Sequence, residues 1–282
     1  MVEIDFKKMS TGIDSIDLVM KGGFPPGSFV LLLGEVGAGS TEFAFTSAIM
    51  LSLLKTKTAA ATAEKGPGIS IPDSVSYISL TRSKTDILNE ISLSFAPEYY
   101  EAIKENLIIE DFSKDYFKSS LVCIPKEKVT FDSLRELGSE RSLLTSLMSF
   151  LTENAPNNLV IIDSLTDLMR MYTGMMKWQD LISFLKGMQR ASKVWDGLIY
   201  ALLTSNIFET GRQEEIADCA DGVLTFEWNE SGAAQRQRTM YVKKFRGLLP
   251  QLEADNIAKF ETKITPTAGF EVSNIQMIMG RR

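Results

Sequence analysis

The chain has 282 residues, of which 44% are hydrophobic and 23% are charged. These fractions are typical of a folded globular protein and exclude a disordered or fibrous chain. The length suits one large domain, which we expect over residues 1–282. The formal net charge of -6 argues against a surface built as a whole to neutralise phosphates, so nucleic acid is not an expected partner.

Three features that the sequence lacks exclude further kinds of site and protein. The sequence contains no histidine, which excludes a serine–histidine or cysteine–histidine nucleophile. Its two cysteines, Cys123 and Cys219, have no cysteine or histidine near them at the spacing of metal ligands. No apolar run approaches the roughly 18 residues of a membrane span. We therefore expect a cytoplasmic protein that makes no membrane contact.

Apolar runs alternate with helical patterns along the first 220 residues. The predicted strands are short, nearly continuous apolar runs over residues 29–33, 75–80, 107–109, 159–162 and 198–203. The predicted helices cover residues 41–54, 133–151 and 178–194. This alternation predicts an α/β fold, in which a mostly parallel twisted sheet has helices on both faces.

Two segments depart from this alternation. Residues 56–74 are small and polar and contain glycine and proline, so we expect a surface loop inserted into the domain. After residue 220, two strand-like runs over residues 222–228 and 239–245 flank a polar turn over residues 229–233. They predict an antiparallel hairpin near the C-terminus.

The segment between the first predicted strand and the first predicted helix reads Gly34, Glu35, Val36, Gly37, Ala38, Gly39, Ser40, Thr41, Glu42. Its first eight residues match the phosphate-binding motif G-x-x-x-x-G-K-[ST] except at the lysine, where Ser40 stands. Glycines at this spacing let the backbone curl so that N–H groups and the helix N-terminus face an anion. We predict that residues 35–42 bind ATP or ADP. A glycine-rich turn without a ligand is the alternative.

The residues around the missing lysine predict weakened binding. Thr41 would supply a hydroxyl for Mg²⁺, but Ser40 cannot deliver the cation that normally reaches the β- and γ-phosphates. Glu42 places a carboxylate in the first helical turn, where it competes with phosphate for the same donors. Asp163 ends an apolar strand and is the second predicted Mg²⁺ ligand, although a helix cap would also explain it.

Several segments resemble KaiC-like and RadA-like ATPases of the RecA superfamily. They lie in the family's order over residues 10–275 and read STGIDSID at 10–17, GGFPPGS at 22–28, DSLT at 163–166, ADCADG at 217–222 and KFRG at 244–247. The resemblance implies a RecA-like fold, ATP binding and assembly into rings or filaments. By position, Lys244 and Arg246 would reach the nucleotide of a neighbouring protomer. Alternatively, Lys243 and Lys244 guard an exposed strand edge.

One departure from the family pattern concerns water activation. Where the family carries two adjacent glutamates, this chain has Thr81 and Arg82. A guanidinium is always protonated and cannot act as a base. Efficient hydrolysis is therefore not expected, although Arg82 is placed where a cation could approach a γ-phosphate. Drift in an unused site is the competing explanation.

The sequence thus favours a nucleotide-responsive or purely structural regulator, a pseudo-ATPase that forms homo-oligomers and acts on an unidentified protein partner. The alternative is a slow ATPase completed by residues from a neighbouring subunit. A recombinase relative that binds nucleic acid is disfavoured by the acidic balance of the chain.

Overall fold

The computed structural model describes residues 7–60, 68–118, 141–173, 175–231, 235–254 and 257–277. Two short strands, β1 (Lys8–Met9) and β3 (Ile69–Ser70), form a separate parallel pair. The other described strands belong to one sheet: β2 (Ser28–Gly34), β4 (Val75–Ser79), β5 (Leu107–Asp111), β6 (Leu159–Asp163), β7 (Leu198–Thr204), β8 (Gly222–Ser231), β9 (Gln235–Phe245), β10 (Ile257–Thr265) and β11 (Gly269–Met277).

The strand order of the sheet is β11-β10-β9-β8-β2-β7-β6-β4-β5. The strands from β8 to β5 in this order are parallel, whereas β9, β10 and β11 each run antiparallel to the strand before. The predicted α/β class, the parallel strands and the C-terminal hairpin are confirmed. Strands β10 and β11 were not predicted, and they extend the hairpin into a four-stranded antiparallel half.

Along the chain, each helix of the described residues lies between two strands. They are α1 (Asp14–Val19), α2 (Ser40–Ala60), α3 (Lys84–Ser94), α4 (Pro97–Asn106), α5 (Ser113–Lys118), α6 (Arg141–Asn154), α7 (Leu165–Thr173), α8 (Trp178–Trp195), α9 (Thr210–Asp218) and α10 (Leu249–Ala254). In the described part of the chain, no helix has the length and apolar character needed to span a membrane.

The loop predicted over residues 56–74 is wrong at both of its ends. Helix α2 continues to Ala60, because the residues after 54 include lysine and alanine, which favour helix. Residues 69–70 form strand β3 beside Lys8 and Met9. Residues 61–67 lie outside the described residues, as does the part of the predicted helix before Arg141. A single domain over residues 1–282 stays a prediction.

Strand β2 lies in the interior of the molecule, with all seven of its residues buried. Val30 and Leu32 face one apolar core, which also contains Phe43 from α2. Phe29 and Leu31 face the core on the opposite side of the sheet. Both faces of the strand are therefore covered, which explains its uninterrupted apolar sequence.

Candidate functional site

The glycine-rich loop connects β2 to α2 at the carboxyl edge of the parallel strands. Gly37 and Gly39 have φ values of +75° and +113°, which residues with a side chain rarely adopt. A Cβ atom at Gly39 would also lie 3.4 Å from the ring of Phe270. The two glycines thus let the backbone turn tightly over the C-terminal strands before α2 begins at Ser40.

Two side chains of the hairpin hold this loop from the sheet side. The Trp228 indole N–H donates to the carbonyl of Val36 at 3.1 Å, and Arg238 Nε donates to the carbonyl of Gly37 at 2.9 Å. The Arg238 guanidinium lies 4.4 Å from the centroid of the Trp228 ring. The Glu35 carboxylate accepts the backbone N–H of Trp228 at 3.0 Å. Glu35 and Val36, predicted as nucleotide-binding residues, therefore make contacts that fix the loop.

Sequence reasoning missed Trp228 and Arg238. They are cross-strand partners in the β8–β9 ladder, so their common position depends on the register of that hairpin. The predicted strand over residues 222–228 placed Trp228 at its end, but no motif connects it to the loop. Because the carbonyls of Val36 and Gly37 accept hydrogen bonds from these two side chains, the hairpin stabilises the tight turn of the loop.

The N-terminus of α2 provides a weak positive potential. The first N–H groups of a helix lack intrahelical partners and carry a partial positive charge. Ser40 and Thr41 are half-buried there, and neither adds a charge. Glu42 in the same turn is half-buried and acidic. None of these three side chains adds a positive charge beside the helix N-terminus, and weakened phosphate binding stays a prediction.

Arg82 lies in a turn that is fixed on both sides. Strand β4 ends at Ser79, whose hydroxyl accepts the backbone N–H of Arg82 at 3.1 Å. Helix α3 begins two residues later and is capped by Ser83, which accepts the N–H of Asp86 at 3.2 Å. Asp86 in turn accepts the N–H of Ser83, completing a capping box. The Arg82 side chain therefore leaves the backbone from a fixed position.

The Arg82 guanidinium joins a compact charged cluster. It forms ion pairs with Asp163, at the end of β6, and with Glu90 on α3. It also donates to the hydroxyl of Tyr77 at 3.0 Å, while that hydroxyl donates to Asp163 Oδ2 at 2.7 Å. We call these four residues, Tyr77, Arg82, Glu90 and Asp163, the Arg82 cluster.

The pKa values in the Arg82 cluster follow from burial and charge. Burial alone would lower the pKa of the Arg82 guanidinium, but the Asp163 carboxylate and other partners hold it above its ordinary value. Burial, together with the negative charge of Asp163, raises the pKa of the Tyr77 phenol well above its usual range. Burial also raises the pKa of Glu90 against the opposing effect of Arg82. At neutral pH, Tyr77 is thus protonated and Arg82 is charged, and neither can act as a base.

The predicted Mg²⁺ ligands do not fit this arrangement. Asp163 Oδ2 already accepts from Tyr77 and from the permanently charged Arg82. A divalent ion on this carboxylate would have to displace or adjoin a guanidinium, and like charges at such range repel strongly. The described ranges contain no group of three aspartate, glutamate, cysteine or histidine side chains that could hold a metal ion. The roles of Thr41 and Asp163 as Mg²⁺ ligands stay predictions, and the ion pair with Arg82 argues against Asp163 in that role.

Asp163 and the glycine-rich loop lie at the same end of the sheet but are not on adjacent strands. Strand β7 lies between β2, which leads into the loop, and β6, which ends at Asp163. No pattern in the sequence specifies this strand order. Glu90 was not identified from the sequence, because its ion pair with Arg82 depends on how α3 is placed after the turn that follows β4.

Lys244 and Arg246 lie away from the loop, toward the end of the sheet at which the parallel strands begin. Lys244 pairs in register with Val223, near the start of β8, whereas the loop follows Gly34, whose partner in β8 is Phe226. Within the chain, Lys244 donates to the carbonyl of Asp218 at 2.9 Å and to its carboxylate at 3.2 Å. The structure therefore does not bring these two cations to the loop of their own chain.

Taken together, the sheet order, the glycine-rich loop after a central parallel strand and the antiparallel strands at one edge define a RecA-like P-loop fold. Two solved structures share this fold. A KaiC-like protein, PH0186 from the hyperthermophilic archaeon Pyrococcus horikoshii OT3, is 19% identical, with a TM-score of 0.59, and the match covers 95% of this chain and 100% of that one. The flagellar accessory protein FlaH from Methanocaldococcus jannaschii is 14% identical, with a TM-score of 0.58, and the match covers 93% and 96%. No family model and no curated protein matches the chain by sequence.

Proposed function

We propose that the protein is a nucleotide-binding regulator, a RecA-like pseudo-ATPase that binds ATP or ADP and hydrolyses ATP at or near background. The observation that carries the proposal is the Arg82 cluster. A guanidinium, paired with Asp163 and Glu90, stands where the resembled ATPases have a water-activating glutamate.

The loop supports the nucleotide-binding part of this proposal. Its glycines have the positive φ values that turn backbone N–H groups toward an anion, and a helix of 21 residues follows it. Trp228 and Arg238 hold it in this form, so little conformational entropy is lost when a phosphate binds. The shared fold with the two archaeal structures is consistent with this use of the loop.

The side chains around the loop support the absence of turnover. Removing one group that stabilises the transition state typically costs about 3 to 4 kcal/mol, or two to three orders of magnitude in rate. Here both the P-loop lysine and the glutamate pair are replaced, by Ser40 and by Thr81 and Arg82. Glu90 is the nearest carboxylate to Arg82 on α3, but its ion pair with Arg82 opposes use as a base.

One observation favours a second candidate, a slow ATPase completed by a neighbouring subunit. Arg246 directly follows strand β9, in the segment that the family resemblance places near the nucleotide of a neighbouring protomer. Its side chain is 56% exposed. A copy of the chain could therefore present this cation to the loop of the next copy. Under both candidates, the protein forms homo-oligomers, and the nucleotide changes assembly or contact with a protein partner.

Calorimetry with ATP and with ADP, run beside a phosphate-release assay across protein concentrations, tests the proposal. We expect binding of at least one nucleotide and phosphate release equal to a protein-free control. Release that rises more than linearly with protein concentration, and is lost in Arg246→Ala, would establish the slow ATPase instead. A protein that binds neither nucleotide would refute nucleotide regulation and leave a structural scaffold.

A further inference from the structure

The Arg82 guanidinium is a cation at the carboxyl ends of β4 and β6, and some of its N–H donors have no acceptor among the described residues. A guanidinium carries five N–H donors in one plane. Within the part of the chain that the structure describes, three of them have acceptors, on Glu90, Tyr77 and Asp163. Two donors therefore remain, and a planar fork of this kind suits the oxygens of a phosphate group.

The guanidinium lies beside the first turns of the helix that follows the loop. Its central carbon is 5.8 Å from the centroid of the Phe45 ring. Phe45 follows Thr41 by four residues in α2, so the two side chains lie on the same face of the helix. Arg82 therefore lies on the Thr41 side of α2, the side on which a phosphate held by the loop N–H groups could meet it.

The Asp163 carboxylate is already neutralised at this point. Only 15% of its side chain is exposed, and its Oδ2 accepts from Tyr77 and Arg82 together. In a metal-dependent site, the acid at this strand end would be free to bind the ion, directly or through water. Here the carboxylate orients a guanidinium, whose remaining N–H donors can bind a phosphate oxygen without a bound ion.

We propose that this site binds the polyphosphate of a nucleotide without a divalent cation, with Arg82 as the phosphate-binding residue and Asp163 as the residue that positions it. The inference rests on the proposed nucleotide binding and specifies its ligand as metal-free nucleotide. Mg²⁺ and Arg82 are then competitors for the phosphate oxygens, so added Mg²⁺ does not strengthen binding.

Calorimetric titration of the full chain with ATP, in EDTA and in excess MgCl₂, separates this inference from the proposed function. We expect binding in EDTA that is equal to or tighter than binding in MgCl₂. Binding that requires MgCl₂ would overturn the metal-free inference and leave nucleotide binding intact. Absence of binding in both buffers would overturn both.

Two substitutions assign the roles within the cluster. Arg82→Gln should weaken binding of ATP in EDTA about tenfold to a hundredfold, since a hydrogen bond to a charged group contributes roughly 1.5 to 3 kcal/mol. Asp163→Asn removes the carboxylate that positions the guanidinium, so it should weaken binding of ATP in EDTA, though by less than Arg82→Gln does. A Mg²⁺ site would respond differently, because Asp163→Asn would weaken ATP binding in MgCl₂ and leave binding in EDTA unchanged.

Matched variants keep the test independent of folding. Arg82→Lys preserves the charge and should retain more affinity than Arg82→Gln, while both keep the cooperative melt of the wild type. Arg190→Gln makes the same chemical change at an exposed position of α8 and should bind ATP as the wild type does. Equal affinity of Arg82→Gln, Arg190→Gln and wild type in EDTA would refute the role of Arg82.

Discussion

Arg82 and Asp163 form an ion pair although 81 residues separate them in the chain. The sheet brings them together, because Ser79 and Asp163 are register partners at the carboxyl ends of β4 and β6. The turn after Ser79 then places Arg82 over the end of β6. The parallel pairing of two strands thus fixes the position of the Arg82 guanidinium beside Asp163.

This ion pair should contribute to folding as well as to binding. Arg82→Ala leaves Asp163 and Glu90 without their cation, and 29% of the Arg82 side chain is exposed, so water compensates in part. We expect a loss of about 1 to 3 kcal/mol in the free energy of unfolding, measured by urea denaturation. In the double variant Arg82→Ala/Asp163→Ala, the loss should be smaller than the sum of the single losses. Additive losses would show that the two side chains are not coupled.

A lysine at position 40 tests what the loop can still bind. Ser40→Lys restores the cation of the motif, so ATP should bind about tenfold more tightly or better, by calorimetry. Phosphate release should stay at background, because Thr81 and Arg82 still provide no base. Ser183→Lys, an exposed position of α8, is the charge-matched control. An unchanged affinity would mean that the loop does not admit a phosphate group.

Much of the fold could be predicted from the sequence, since near-continuous apolar runs such as residues 29–33 are typical of strands covered on both faces. The loop was identified because its glycine spacing is local. Strands β10 and β11 were missed although their sequences carry a strand signal, since apolar residues alternate with polar ones and Pro266 and Gly269 mark the turn between them.

The site was less predictable, because its contacts depend on tertiary placement. The resemblance drew attention to Arg82 and Asp163 separately, yet no sequence pattern joins residues that meet only through strand pairing. Glu90 sits on a helix that was not predicted, and Tyr77 read simply as a strand residue. The predicted roles of Lys244 and Arg246 concern a second protomer and stay predictions.

Trp228 should report directly on the loop. Its indole N–H donates to the Val36 carbonyl and its ring contacts the Arg238 guanidinium, so a shift of the loop changes the surroundings of the fluorophore. We expect nucleotide to change tryptophan emission, and Trp228→Phe to abolish the change while leaving the contributions of Trp178 and Trp195. A response that persists in Trp228→Phe would place the movement elsewhere.

Arg238 should affect nucleotide affinity indirectly, by stabilising the loop without itself contacting the nucleotide. Arg238→Ala removes the donor to the Gly37 carbonyl and frees the curled backbone. We expect binding of ATP and of ADP to weaken by similar factors of about three to ten, because both nucleotides use the same loop and the lost hydrogen bond is exposed to solvent. Calorimetry with both nucleotides measures this. A loss confined to ATP would instead indicate that Arg238 contacts the γ-phosphate.

Self-association is expected to depend on Arg246 more than on Lys244. Lys244 is held within its own chain by Asp218, whereas Arg246 lies 3.7 Å from Asp221 with most of its side chain exposed. Arg246→Ala should therefore weaken assembly in sedimentation velocity, with Lys263→Ala as an exposed control on β10. A wild type that remains monomeric at high protein concentration, with and without nucleotide, would contradict the proposed assembly.

The amine of Lys8 is buried without a hydrogen-bond partner among the described residues. Burial, with a smaller effect from Lys21, lowers its pKa to about 8, whereas an unfolded lysine titrates near 10.4. Between these values the unfolded chain binds the proton that the folded chain has released, so stability should rise with pH across this window. Lys8→Met should remove that rise and raise the free energy of unfolding near pH 7 by about 1 to 3 kcal/mol, measured by urea denaturation at pH 7 and pH 9.5. The same substitution at the exposed neighbour Lys7 serves as the control. A Lys8→Met variant that is destabilised at pH 7, with the pH dependence of the wild type, would show that the Lys8 amine is solvated in the folded protein.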